Sequence, residues 1–195
     1  MADSLADIKK DRKFWQRMLR FAGYYDGAID GILGTKSKAA AAAWDEDAQR
    51  IKEVYGTFDE RTERNISTLI PQAQRAARVW CAEAVRVAKE SGFDVRIICG
   101  TRTYKEQDAL YAKRPRVTKA RGGQSMHNFG LAWDFGVFQG KTYFGDSPMY
   151  AVLGKLYKLV PSVEWGGTWK SFVDQPHLQL NKYPNTAAAR AAFES

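Results

Sequence analysis

The 195-residue sequence predicts an α+β protein, a small, mainly antiparallel sheet with flanking helices, preceded by a small helical module. Three observations carry this. Two short stretches, Leu131 to Val137 and His177 to Leu180, alternate with the period of two of a half-buried strand. Longer stretches, Ile8 to Ala22 and Ala76 to Ala88, repeat apolar residues at three- and four-residue steps, which gathers them on one helical face. A glycine turn at Gly56-Thr-Phe-Asp59 follows an alanine-rich, charged helical run and divides the chain into residues 1–55 and 56–195.

In chain order, Ile8, Phe14, Trp15, Met18, Leu19 and Ala22 form the apolar face of one amphipathic helix, opposite Lys9, Lys10, Lys13, Arg17 and Arg20. The segment Gly23 to Gly34 supplies tight turns through its glycines, with Ile29 and Leu33 reaching back to the core. A second helix starts near Ser37 and runs through the alanines past Trp44. Residues 59–92 read as helical with a break at Leu69-Ile-Pro71, because proline disfavours helix at the residue before it. Ala76, Trp80, Ala84, Val87 and Ala88 give the buried stripe, and Ser91-Gly92 ends it. Asp94 to Cys99 is a strand, and Thr103 with Glu106 makes a capping box opening a helix that carries Gln107, Leu110 and Tyr111. Ser147-Pro148 opens another helix as cap and first residue, with Met149, Val152, Leu153, Leu156, Leu159 and Val160 as its buried face. Val163 to Gly167 forms a short strand and turn, and residues 185–194 a terminal helix outside the site.

The hydrophobic fraction of 45% is that of a globular chain with room for one ordinary domain and a small module. No apolar run has the length of a membrane span, and the start, Met1 to Lys10, has no signal-peptide core. Synthesis in a cytoplasm without a signal peptide and without membrane insertion is therefore expected. The net charge of +8 is uneven: the first 55 residues hold ten basic and nine acidic side chains, the remainder 20 and 13. A basic body suits a polyanionic partner such as a wall, an outer membrane surface or nucleic acid. The densest run, Lys113 to Arg121, has no interleaved aromatic residue, which argues against nucleic acid. Cys81 and Cys99, in a helical run and at a strand end, are expected to be reduced thiols without a chemical role.

The chemistry concentrates around the two histidines. From Gly130 onward, Leu131, Trp133, Phe135 and Val137 share one strand face, and Ala132, Asp134 and Gly136 the other. A carboxylate in such an apolar strand is costly unless paired or metal-bound, and no basic residue lies between Gln124 and Gly140. In Pro176-His-Leu-Gln-Leu180 the alternation puts His177 and Gln179 on one face. His127, Asp134 and His177 make a set of two imidazoles and one carboxylate that suits one zinc ion, with a fourth position for water. Asp174, three residues before His177, is placed to reach that water as a base without being a ligand. Glu164 is a rival base by residue type, though pairing with an arginine is its expected use. Ser125 faces the side of His127 if locally extended, where it would contact substrate or position the ligand. No histidine remains to activate it as a nucleophile.

Ser125-x-His127-x-x-Gly130-x-Ala132-x-Asp134 resembles the signature of the zinc peptidases grouped with lysostaphin, the D-Ala-D-Ala metallopeptidases and the hedgehog signalling domain. Asp174-x-x-His177, preceded by Trp165-Gly-Gly-x-Trp169, is similar to the L-alanyl-D-glutamate endopeptidase branch, which includes many phage endolysins; the likeness spans about residues 57 to 182. The resemblance implies zinc at His127, Asp134 and His177, with Asp174 as catalytic base. It also implies that Arg102, in Gly100-Thr-Arg-Thr-Tyr-x-x-Gln107, polarises the scissile carbonyl. The implied activity is peptidoglycan hydrolysis at the L-Ala-D-Glu amide by a monomer acting on the wall after release or export. The alternatives are a D-Ala-D-Ala carboxypeptidase using the same zinc and a non-catalytic, zinc-containing wall-binding protein. Residues 5 to 50, a helix, an Asp-Gly-x-Ile-Asp-Gly loop and a helix, look like a peptidoglycan-binding module, except that Trp44-Asp45 stands where that family usually has Phe-Gln.

Overall fold

The computed structural model describes residues 4–115 and 117–195. Met1 to Asp3, at the start read as signal-free, and Arg116 of the basic run lie outside the described residues. No helix among the described residues is long and apolar enough to cross a membrane.

The expected first helix is two, α1 (Leu5–Lys10) and α2 (Arg12–Phe21). Asp11 breaks it: its carboxylate accepts from the Phe14 amide at 3.1 Å, so the residue caps a new helix instead of continuing the old one. Ile8, Phe14, Trp15, Met18, Leu19 and Ala22 are buried as their spacing requires. The glycine-rich loop is held by the fully buried Gln16, which donates to Asp30 Oδ1 at 2.9 Å and accepts from the Gly31 amide at 2.7 Å. α3 (Thr35–Tyr55) follows and stops at Gly56, whose φ of 82° suits glycine. Trp44 turns inward, its ring 5.0 Å from that of Trp15.

α4 (Glu60–Ile66) and α5 (Pro71–Glu90) flank the expected break, with Pro71 opening α5. The strands are β1 (Asp94–Cys99), β2 (Ala132–Gln139), β3 (Thr142–Phe144), β4 (Val163–Trp165) and β5 (His177–Leu180). They pair antiparallel in the order β1-β2-β5-β4, with β3 on the far end of β2. Trp133, Phe135 and Val137 have no exposure, and the Phe135 ring meets Trp80 of α5 at 4.8 Å. Helices therefore cover one face of the sheet. On the other, register aligns Cys99 with Asp134, Asp134 with His177, and Glu164 with Gln179, after an irregularity in β1 between Ile97 and Cys99.

α6 (Tyr104–Ala112) begins with the expected capping box of Thr103 and Glu106. The helix expected from Pro148 is shorter: α7 (Met149–Gly154) tightens into a 3-10 turn, Lys155–Leu159. Val152 and Leu159, expected to be buried, are 45% and 55% exposed. The Trp165 ring lies against Gly154 where a Cβ would be, and the tighter turn after it rotates Leu159 off the α-helical face, while Val152, before that turn, lies off the face that buries Met149, Tyr150 and Leu153. α8 (Thr186–Glu194) closes the chain. Its Phe193 ring packs on Phe14 and Phe21 of α2, at 5.3 and 5.5 Å, and on Phe129, at 5.3 Å. One apolar core thus runs unbroken from the N-terminal helices into the sheet.

Candidate metal centre

His127 sits on a 3-10 turn, Met126–Phe129, that ends at Gly130 in the left-handed region with φ 67°. A Cβ at Gly130 would stand 2.8 Å from Met18 Cε and 3.1 Å from the Ile70 amide nitrogen, which itself donates to the Gly130 carbonyl at 3.1 Å. Only glycine fits there, and α2 and the start of α5 thereby seat the turn. The other side of the turn is tied to the β1–α6 connection, by Arg102 N to His127 O at 3.0 Å and Asn128 Nδ2 to Arg102 O at 2.9 Å.

Three donor atoms converge. His127 Nε2 is 3.1 Å from Asp134 Oδ1, His177 Nδ1 is 3.0 Å from the same oxygen, and the two ring nitrogens are 3.3 Å apart. Ligand atoms about 2.0–2.1 Å from a tetrahedral ion are separated by about 3.3 Å. The triangle therefore fits a single ion. The remaining ring nitrogens are engaged behind it: His127 Nδ1 donates to the Gly100 carbonyl at 2.7 Å, and His177 Nε2 to Gln179 Oε1 at 2.9 Å. With those nitrogens donating, each imidazole in its neutral form turns its lone pair inward.

Cys99, His127 and Asp134 also lie within 4.8 Å of one another. The Cys99 sulfur, however, is 3.9 Å from His127 Nδ1, the nitrogen already committed to Gly100, and it accepts from Arg102 Nε at 3.0 Å. Burial pushes its thiol up to about 12, so it stays protonated behind the donor set. Cys81 is buried and free.

Burial, then the Arg102 charge, depresses His127 to about 4, leaving it neutral as a ligand must be. Burial opposes ionisation of Asp134, but the two histidines hold its carboxyl well below the usual range. In His177 burial favours the neutral ring, but contact with Asp134 outweighs it and raises the pKa. Asp134 Oδ2 accepts from Arg102 Nη2 at 2.8 Å, while Arg102 Nη1 donates to Gln107 at 3.1 Å. The buried Gln107 also grips the Ala120 carbonyl at 2.9 Å, linking Arg102 to the basic loop.

The triangle opens into a cleft of about 530 Å³ lined by Arg102, Lys119, Ser125, Trp169, Phe172 and Asp174, among others. Trp169 lies over His177, their ring centroids 5.1 Å apart. Lys119 Nζ sits 5.5 Å from the Phe172 ring, so the basic loop finds an aromatic partner across the cleft that its own run lacks. Thr186, at the start of the terminal helix expected outside the site, also reaches the cleft. Ser125 itself is extended, with φ −139° and ψ 142°, but the 3-10 turn begins at Met126, so the two-residue alternation expected to align it with His127 does not hold, although both line the cleft. Asp174 is fixed in the turn before β5 by its amide to Gly166 O at 3.0 Å and its carbonyl to His177 N at 3.2 Å. Burial first, then the Asp134 charge, raises its carboxyl above the ordinary value. Glu164 departs from expectation: among the described residues its side-chain partner is the Gln179 amide, at 2.6 Å, and not an arginine.

A family model described as D-alanyl-D-alanine carboxypeptidase matches residues 118–180, the stretch that holds the triangle and Asp174. The peptidoglycan L-alanyl-D-glutamate endopeptidase CwlK of Bacillus subtilis is 38% identical over 114 residues, 51% of this chain and 68% of that protein. The L-alanyl-D-glutamate peptidase of Listeria phage A118 is 34% identical over 126 residues, 62% of this chain but only 41% of the phage protein. Among solved structures, the L-Ala D-Glu endopeptidase ChiX of Serratia marcescens superposes with a TM-score of 0.50 at 25% identity, covering 64% of this chain and 89% of that one.

Proposed function

Because the chain belongs to the family of the peptidoglycan L-alanyl-D-glutamate endopeptidases, a group of metallopeptidases, we propose that it hydrolyses the L-Ala-D-Glu amide of the stem peptide with one zinc ion held by His127, Asp134 and His177. The observation that carries this is the triangle of inward-facing donors at 3.0–3.3 Å, with a base-capable carboxylate beside it in the same cleft.

Bound there, zinc would supply an acidified water with a pKa of about 7 and a Lewis acid for the scissile carbonyl. Asp174 accepts the proton of the attacking water and returns it to the leaving amine; no described residue hydrogen-bonds its carboxylate, and its raised pKa suits both directions of transfer. Arg102 keeps two N–H groups beyond those given to Cys99, Gln107 and Asp134, and with them holds the developing oxyanion. Ser125 orients the peptide from the cleft wall. Residues 1–55 are read as a peptidoglycan-binding module and 56–195 as the catalytic part, a division supported by the loop pattern at Asp26 to Gly31 and the glycine turn at Gly56.

Mass analysis of muropeptides from purified wall tests the reading. New amino-terminal D-Glu and carboxy-terminal L-Ala ends are expected. Free D-alanine as sole product would replace it with a carboxypeptidase, and wall binding without any product would replace it with a non-catalytic binding protein.

A further inference from the structure

Glu164 and Gln179 are cross-strand partners on β4 and β5, and Gln179 shares its strand face with His177. The hydrogen bonds joining them run in one direction. A carboxylate offers acceptors only, so the Gln179 amide must turn Nε2 toward Glu164, at 2.6 Å. That places Oε1 against His177 Nε2 at 2.9 Å, and an acceptor there requires Nε2 to carry the hydrogen. In the neutral ring that a metal ligand requires, the lone pair is then left on Nδ1, the atom that faces Asp134 and His127. For His127 a backbone carbonyl, Gly100, fixes the opposite tautomer, Nδ1–H, and so leaves the lone pair on Nε2. His177 has no such carbonyl on Nε2 among the described residues, and Gln179 is 7% exposed, so water does not substitute freely.

We infer that Glu164 and Gln179 are positioning residues which fix the tautomer of His177 and thereby set the metal affinity of the centre. The inference rests on reading the triangle as a metal site. Glu164 orients Gln179, and Gln179 orients the ring. Neither touches the reacting atoms.

Titration of the full chain with zinc against a chromophoric chelator of known affinity tests this, together with ¹⁵N spectra of the histidine rings in the zinc-free protein at a pH alkaline enough that both rings are neutral. Gln179→Met keeps the volume and removes the acceptor; zinc affinity is expected to fall about 10–100-fold. Glu164→Gln is expected to fall less and to show a mixture of His177 tautomers, because a second amide can face either way. In the double variant Glu164→Gln with Gln179→Glu the carboxylate moves one step inward, accepts from His177 and is held by the new amide. Affinity within a few-fold of the original protein and a single Nε2–H tautomer are expected. Unchanged affinity in both single variants, or a double variant as weak as Gln179→Met, overturns the inference while leaving the metal centre standing. If the unaltered protein takes up no zinc, it is the reading of the triangle that fails.

Discussion

Asp134 on β2 stands directly opposite His177 on β5, and its two oxygens do different work: Oδ1 meets His177 Nδ1 at 3.0 Å while Oδ2 accepts from Arg102 at 2.8 Å. The carboxylate belongs at once to the donor triangle and to an ion pair lining the cleft. Arg102→Ala is expected to lower kcat by about 10²–10³-fold through loss of the oxyanion contact. Zinc content should stay near one equivalent, since the three donors remain. Steady-state kinetics beside metal analysis checks this, and a loss confined to KM would contradict the assigned role.

Asp174→Asn retains shape but cannot take a proton. Wall hydrolysis is expected to drop by about 10²–10⁴-fold with zinc and wall binding intact. A variant that clears wall at the original rate would remove Asp174 from the mechanism.

The same residue sets a pH signature. As a base Asp174 must be ionised, and its pKa is raised, so the acid limb of kcat/KM is expected above the ordinary aspartate value. For stability of the zinc-free protein the sign is opposite to that of a salt-bridged acid. With the folded value above the unfolded one, the contribution is fully present below the unfolded pKa and is lost as pH rises through the folded one. Asp174→Asn should therefore gain stability on the unaltered protein across that window and keep the gain at neutral pH. Denaturant melts at several pH values measure it.

Gly130→Ala forces a side chain into a left-handed position against Met18 and Ile70. A loss of about 1–3 kcal/mol is expected, together with weaker zinc binding because the turn carrying His127 shifts. Normal zinc affinity in a destabilised protein would show that the turn relaxes independently of its histidine.

A chain beginning at Gly56 would expose Phe129 and Phe193, which α2 covers through Phe14 and Phe21. It is expected to melt well below the full chain or to aggregate. A truncated chain with an unchanged Tm would mean that this aromatic packing contributes nothing.

Much of the site was legible because strand alternation is a local signal. It puts Asp134 on the small-residue face and His177 with Gln179 without reference to strand pairing, and the capping box at Thr103 and the break at Pro71 are equally local. The helix break at Asp11 is not visible in the periodicity, because a single capping side chain overrides an otherwise continuous apolar period. The early end of α7 falls where the Trp165 ring of β4 lies on Gly154, a tertiary contact that the helical period does not encode. The partner of Glu164 depends on the β4–β5 register, which short strands do not reveal on their own. The place of Cys99, beneath Arg102 and behind His127, follows from the irregularity in β1 and has no sequence signature.

The two imidazoles that meet at 3.3 Å are 50 positions apart along the chain. An unfolded polypeptide does not hold them together, so an ion taken up there is a ligand of the native state alone. Its free concentration then becomes a thermodynamic handle on folding, worth about 2.7 kcal/mol at a hundred times the dissociation constant. A melting temperature quoted for this protein means little unless the free ion level is quoted with it.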